Sequence, residues 1–266
     1  MPPDYEAALN IFYFCHIFFI VDYIYTSDPI IFMEPFLFSG YSSKQGSFGL
    51  REIKYGRARL SLLRAFIESI GIRPFEEIRI KDLCSEAEVS EPSFYNYFPK
   101  KDDLFLYFIS LWSVDVQMHI RCMNPSIDPG VRAIREIFRY TAAGISQTPR
   151  LMKEIIAYQA RTDTSLRMNE LRPVTNAEKA LVFGETDELY SLPDQGLRPL
   201  LSENIAAAVD RGDISSDVGI PELTLLTASV FFGIPVIILH EDPENLNEYY
   251  QTSLDILFNS NSKRRN

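Results

Sequence analysis

Residues 57–109 read RARLSLLRAFIESIGIRPFEEIRIKDLCSEAEVSEPSFYNYFPKKDDLFLYFI, and three short amphipathic repeats within them decide the fold. Between Arg57 and Gly71 the apolar residues Leu60, Leu63, Phe66, Ile67 and Ile70 recur at spacings of three and four. That spacing marks one face of a helix, and Gly71 supplies its stop. After a loop containing Pro74, Ile80, Leu83, Cys84 and Ala87 repeat the pattern over barely two turns, which predicts a short second helix. Glu88 and Val89 then turn into Ser90, a residue suited to N-capping. Glu91 and Pro92 follow, where an acid suits the helix dipole and a missing amide costs little, so a third helix begins there.

In that third helix Phe94 and Phe98, four apart, face the core with Val89 and leave outward directions to Ser93, Asn96 and Tyr97. A helix presenting an amide and hydroxyls fits the major groove of DNA, which is about 12 Å wide: Asn pairs with adenine, and hydroxyls reach bases or phosphates. The stretch therefore reads as a helix-turn-helix whose third helix enters DNA.

The segment LLRAFIESIGIRPFEEIRIKDLCSEAEVSEPSFYNYFPKKDDLF, residues 62–105, resembles the N-terminal domain of TetR-type bacterial regulators. An aromatic-aliphatic first helix, a glycine, a short helix around "KDL", then "VS", "Y", "YF" and "PKKDDL" follow one another without gaps. The resemblance implies that Lys81 contacts phosphate at the start of the second helix. It places Pro92, Ser93, Tyr95, Asn96 and Tyr97 near bases or backbone, and Lys101 on phosphate at the start of a fourth helix. Two positions depart from the family pattern: Glu88 stands where a turn glycine is usual, and Arg79 where a capping Ser or Thr is common.

Overall charge first argues against nucleic acid, since the formal net charge is -10 and phosphate binding needs a basic surface. The charge is unevenly distributed. Residues 1–50 carry one basic and five acidic side chains, residues 51–110 carry ten of each, and residues 111–266 carry fifteen against twenty-one. Arg51, Lys54, Arg57, Arg59 and Arg64 form a local basic stretch opposed only by Glu52.

Toward the N-terminus, residues 11–25 read IFYFCHIFFIVDYIY, too short for a comfortable membrane span and lacking the basic start and cleavage site of a secretory signal. Residues 1–50 are read as an extension arising from a start codon set too early, with Met33 nearer the true start. A membrane-attached helix at 11–25 is the competing reading. Cys15, Cys84 and Cys122 are isolated, with no Cys/His cluster at metal-ligand spacing, which fits a reducing cytoplasm with Cys84 and Cys122 as buried thiols.

Toward the C-terminus a long helix is expected from Lys101 to about Cys122, then helices over 130–146, 150–161 and 165–190, the last interrupted by Pro173. Leu197, Leu200, Leu201, Ile205 and Ala208 form one stripe of a helix over 197–209. Residues 222–239 are apolar on nearly every side, which predicts a helix covered on more than one face. Thr224, Thr227, Ser229 and Pro235 interrupt the run and argue against a membrane span. "NIAAAVDRGDI" followed by a long apolar helix resembles the paired dimer helices of TetR-type proteins, implying a homodimer through helices near 197–211 and 222–239. The family also implies an effector pocket among the middle helices, for which Trp112, Phe138, Tyr140, Tyr158 and Phe183 are wall candidates.

His16, His119 and His240 lie far apart, and no HExxH, GxGxxG, phosphate-binding loop or GxSxG elbow occurs, so neither catalysis nor a cofactor or metal is expected. The chain thus reads as all-α: an N-terminal helix-turn-helix domain over 51–103, then a helical ligand-binding and dimerisation domain over 104–260. The expected function is a cytoplasmic, ligand-responsive repressor, binding double-stranded palindromic operator DNA as a homodimer and a small-molecule effector. A helical ligand-binding protein or enzyme without DNA binding is the alternative.

Overall fold

A computed structural model describes residues 48–124, 126–162, 172–214 and 218–262. The 1–47 extension, with the 11–25 run, Met33, Cys15 and His16, lies outside the described residues, as does the expected helix start near Ser165. Among the described residues the architecture is all helical.

Helix α1 spans Leu50–Ile72, beginning earlier than its apolar repeat because Glu52 accepts the Gly49 N–H at 2.9 Å and caps the first turn. Gly71 sits inside α1, and Arg73 rather than glycine ends it in extended conformation. Helices α2, Ile80–Glu86, and α3, Glu91–Tyr97, follow as the sequence predicts. Leu83, Cys84, Phe94 and Phe98 are buried against Leu63, Phe66 and Ile70 of α1.

Helix α4, Asp103–Gln117, is the axis of the molecule, with every one of its residues buried. It is shorter than the sequence suggests, since Met118–Met123 continues it as a wider π turn. Phe105 of α4 packs edge-on to Phe66 at 5.0 Å and stacks on Tyr158 at 5.2 Å, so one ring belongs to the core of both head and body.

The body adds α5, Val131–Gln147; α6, Pro149–Arg161; α7, Asn176–Phe183; α8, Asp187–Ser191; α9, Leu197–Asp210; α10, Ile220–Ile238; and α11, Leu246–Ser262. The expected helix over 165–190 is instead broken, because Gly184 adopts φ +81° between α7 and α8. Helix α11 lies beyond the expected elements, although Leu246, Tyr250, Leu254 and Phe258 recur every four residues and are all buried. Tyr250 anchors it: its hydroxyl donates to the Phe231 carbonyl at 2.7 Å, and its ring meets Phe138 edge-on at 4.9 Å.

Candidate nucleic-acid interface and ligand cavity

The turn between α2 and α3 decides how the third helix is presented. The Val89 N–H donates to Cys84 O at 2.9 Å and the Glu88 N–H to Ser85 O at 3.4 Å, the paired bonds of a Schellman stop. That motif needs a left-handed residue after the C-cap, and Glu88 takes it with φ 54°. The family glycine is absent here but its backbone conformation is kept, at a steric cost of about 1 kcal/mol. The other departure does leave a gap, since Arg79 offers α2 no side-chain cap.

Beyond the turn Ser90 Oγ accepts the Ser93 N–H at 3.3 Å, and the two hydroxyls meet at 2.7 Å. With Phe94 and Phe98 fully enclosed, α3 turns Pro92, Tyr95 and Asn96 to solvent, and Lys81 is exposed at the start of α2. Ser93 and Tyr97 are half-buried, the Tyr97 ring resting 5.2 Å from that of Tyr55.

Lys101 departs from expectation. Its ammonium donates to the carbonyls of Phe75 and Ile78, both at 2.7 Å, and lies 4.0 Å from the centre of the Phe75 ring. Burial lowers its pKa. The side chain that the resemblance assigns to phosphate is thus committed to the head's own α1–α2 loop.

That loop also joins the head to the body. Glu154 of α6 accepts the Phe75 N–H at 3.2 Å, and Arg161 of the same helix pairs with Glu76 at 3.1 Å. A second joint is deeper. Arg59 of α1 and Glu178 of α7 are both fully enclosed at 3.1 Å, and the Arg59 guanidinium lies over the rings of Tyr107, at 4.0 Å, and Phe98, at 5.2 Å. Glu178 accepts the Tyr107 hydroxyl at 2.6 Å and, as the third residue of a capping box, the Thr175 N–H at 2.7 Å. At Gly56 the helices come so close that a Cβ would stand 3.0 Å from both Glu178 and Leu181. Apolar periodicity gives no sign of this joint, and Thr175-x-x-Glu178 is its one legible trace in the sequence.

Within the body α4, α5, α6, α9 and α10 line a cavity of about 1060 Å³ that opens to solvent. Of the five expected wall residues only Trp112 lines it. The rest are corrected by their packing: Phe138 is wedged edge-on to Phe231, and Tyr158 stacks on Phe105. Tyr140 hydrogen-bonds Asp115 and stacks on His119 at 4.2 Å, and Phe183 packs beside Val114 and Leu189. The walls come instead from Phe108, Ile145, Met152, Ile155, Phe231 and Phe232, which on sequence alone look like any other core stripe.

Of the two segments expected to pair subunits, near 197–211 and 222–239, the first, α9, turns its apolar stripe of Leu197, Leu200, Leu201, Ile205 and Ala208 toward its own chain. Exposed large apolar side chains lie on α10, as Leu225, Leu226, Val236 and Ile237, and on α11, as Tyr249 and Ile256. Helix α10 is long and apolar enough to cross a membrane by composition, with a third of it buried.

Residues 62–108 match the family model described as bacterial regulatory proteins, tetR family. The fold is shared with FadR of Thermus thermophilus, a TetR-family transcriptional repressor solved with lauroyl-CoA, at 21% identity and TM-score 0.53, covering 75% of this chain and 92% of that one. It is shared too with the fatty acid degradation regulator FadR of Bacillus halodurans, at 13% identity and TM-score 0.54, covering 80% and 97%. A TetR-family regulator of Syntrophomonas wolfei gives 14% identity and TM-score 0.53, covering 75% and 94%. No curated protein matches the chain by sequence. The family match is thus confined to residues 62–108, and the helical body behind it shares its fold with these structures.

Proposed function

We propose that this chain, with its TetR-type head, is a sequence-specific transcriptional regulator that represses by occupying palindromic operator DNA as a homodimer and leaves it on binding a small molecule. The observation carrying the reading is the α2–α3 turn. Its Schellman bonds hold Phe94 and Phe98 in the core while Lys81, Pro92, Tyr95 and Asn96 share the exposed side. Asn96 then reads a base edge, Lys81 neutralises a phosphate, and Tyr95 and Ser93 contact the backbone.

Pairing through the apolar faces of α10 and α11 sets two heads about 34 Å apart, one turn of duplex. The effector occupies the cavity. Its influence reaches the head through the two joints, because α6 lines the cavity and holds the Phe75 loop, and the carbonyls of Arg172 and Pro173, on the cavity lining, accept from Arg59 at 3.3 and 3.4 Å. An effector that fits better when these joints are displaced lowers operator affinity by its differential affinity for the two states.

Footprinting the purified protein on the DNA upstream of its own gene, across a salt series, tests the reading. A two-fold symmetric footprint that weakens steeply with salt is expected. Absence of any footprint at low salt would overturn it.

A further inference from the structure

Resting on the effector reading above, we infer that the cavity takes an apolar acid: a molecule with a long hydrocarbon body and one anionic head, the head held beside Arg198 at the start of α9.

The lining is divided by chemistry. Trp112, Ile145, Met152, Ile155 and Phe231, from α4, α5, α6 and α10, make walls without a charge. The charged lining residues are Arg172, Asp194 and Arg198, and they fall in two segments that the structure joins, since Asp194 accepts the Val174 N–H at 2.8 Å. Two of the three are cations. Arg172 donates to the neutral Tyr55 hydroxyl at 3.3 Å, and among the described residues Arg198 meets no carboxylate. The one acid is already bonded to backbone.

The start of α9 adds to the positive side. Gln195, Gly196, Leu197 and Arg198 all line the cavity, and Gly196, the N-cap of this 14-residue helix, has no side chain to offer, so among the described residues the Leu197 and Arg198 N–H groups meet no side-chain acceptor. Gly196 holds φ +80° with Ile109 of α4 so near that a Cβ would stand 3.3 Å from it, which fixes this helix start against the cavity wall. Trp112 stands on the wall of the same cavity, 8% exposed, with its indole N–H enclosed and without an acceptor among the described residues. A cation finds one carboxylate here, already engaged, and a neutral hydrocarbon leaves both guanidinium groups unused.

Size sets the body. At about 30 Å³ per water-sized group the cavity holds roughly thirty or more non-hydrogen atoms, so a short acid leaves most of it unfilled.

Trp112 is the only tryptophan of the chain and reports on its own site. The test titrates the full-length protein with n-alkyl carboxylates, n-alkyl phosphates and n-alkanols of roughly eight to sixteen carbons, below micelle-forming concentrations, following indole emission, with native mass spectrometry for stoichiometry. One acid per chain is expected, with affinity rising about fourfold per added methylene. Either the carboxylate or the phosphate of a given length binds at least about tenfold more tightly than the alcohol, and the tighter of the two identifies the head. Arg198→Ala, at an exposed position, brings acid down to alcohol affinity and leaves the alcohol unchanged. Equal affinity of acids and alcohol, an Arg198→Ala variant identical to the parent, or no saturable emission change with any chain overturns the assignment. Footprinting the same preparation without additives is read separately, so failure of the regulator reading is not confused with failure of the cavity chemistry.

Discussion

Arg59 and Glu178 face each other 3.1 Å apart with neither side chain reaching solvent, one on the first helix of the head and the other on the first turn of α7 in the body. Removing one partner strands a buried charge, whereas replacing both with apolar groups removes the desolvation cost together with the attraction. Glu178→Ala is therefore expected to lower unfolding free energy by about 3–5 kcal/mol. Arg59→Met with Glu178→Leu is expected to lose less than either single change, the remainder reflecting the lost cap at Thr175. Urea unfolding of the three variants checks this, and a double variant worse than both singles would contradict it.

Glu88 holds a conformation that costs a side chain about 1 kcal/mol and costs glycine little. Glu88→Gly is expected to raise stability by up to roughly 0.5 kcal/mol without moving α3, after allowance for the entropy glycine gains in the unfolded chain. Glu88→Val is expected to lower it by more than that. A thermal melt reads both, and a less stable glycine variant would show that the Glu88 side chain contributes more than its backbone costs.

The head was legible because its helices are short and each carries one apolar stripe between polar turns, so periodicity, cap and turn chemistry agreed from Leu60 to Phe98. The body was legible as helices but not as a site. Trp112, Phe138 and Tyr158 are equally apolar and equally spaced, and whether such a ring faces a cavity or a neighbouring helix depends on packing between distant segments. Lys101 shows the same limit at one residue: its position matches the family, yet the Phe75 and Ile78 carbonyls that engage it come from a loop more than twenty residues earlier. Helix α11 was missed because its stripe, Leu246, Tyr250, Leu254 and Phe258, is only one residue wide.

The three polar head residues are expected to separate in a DNA assay. Asn96→Ala costs about 1–3 kcal/mol at one operator position and relaxes preference there, while Lys81→Ala weakens every sequence alike and reduces the salt slope by about 1. Lys101→Ala acts on folding, costing about 1–3 kcal/mol because two loop carbonyls lose their charged donor. Operator scanning beside urea unfolding distinguishes the three. A Lys101→Ala head of parental stability with a shallower salt slope would restore Lys101 to the phosphate set.

Asp115 of α4 is buried with Tyr140 as its hydrogen-bonding neighbour, the hydroxyl lying 3.0 Å from Oδ2, and burial raises its pKa to about 7 despite that bond. The folded protein therefore binds a proton that the unfolded chain releases near pH 4. Its contribution to stability is complete below that pH, falls as pH rises toward 7 and is flat beyond, a loss on the order of 3–4 kcal/mol. Asp115→Asn keeps an acceptor for Tyr140 and removes the titration. The variant is expected to match or trail the parent at pH 4.5 and exceed it at pH 8. A parent-minus-variant difference that does not change with pH would place the Asp115 pKa near its ordinary value.

Gly233 tests the proposed dimer without harming the subunit. On α10 the exposed positions Leu225, Leu226, Ser229, Gly233, Val236 and Ile237 follow one face, with two small residues at its middle that let another helix approach closely. A Cβ at Gly233 meets nothing within 4 Å in the isolated chain. Within one subunit Gly233→Leu should thus be neutral or stabilising, since leucine exceeds glycine in helix propensity by about 0.8 kcal/mol. Between two subunits the same side chain fills the groove where the backbones meet, and overpacking there costs about 1–3 kcal/mol per copy. Sedimentation is expected to show Gly233→Leu and Leu226→Glu shifting the protein toward monomer, with operator affinity falling in step because the two half-sites are no longer engaged together. A Gly233→Leu protein that stays dimeric and binds operator as the parent does would move the two-fold interface off α10.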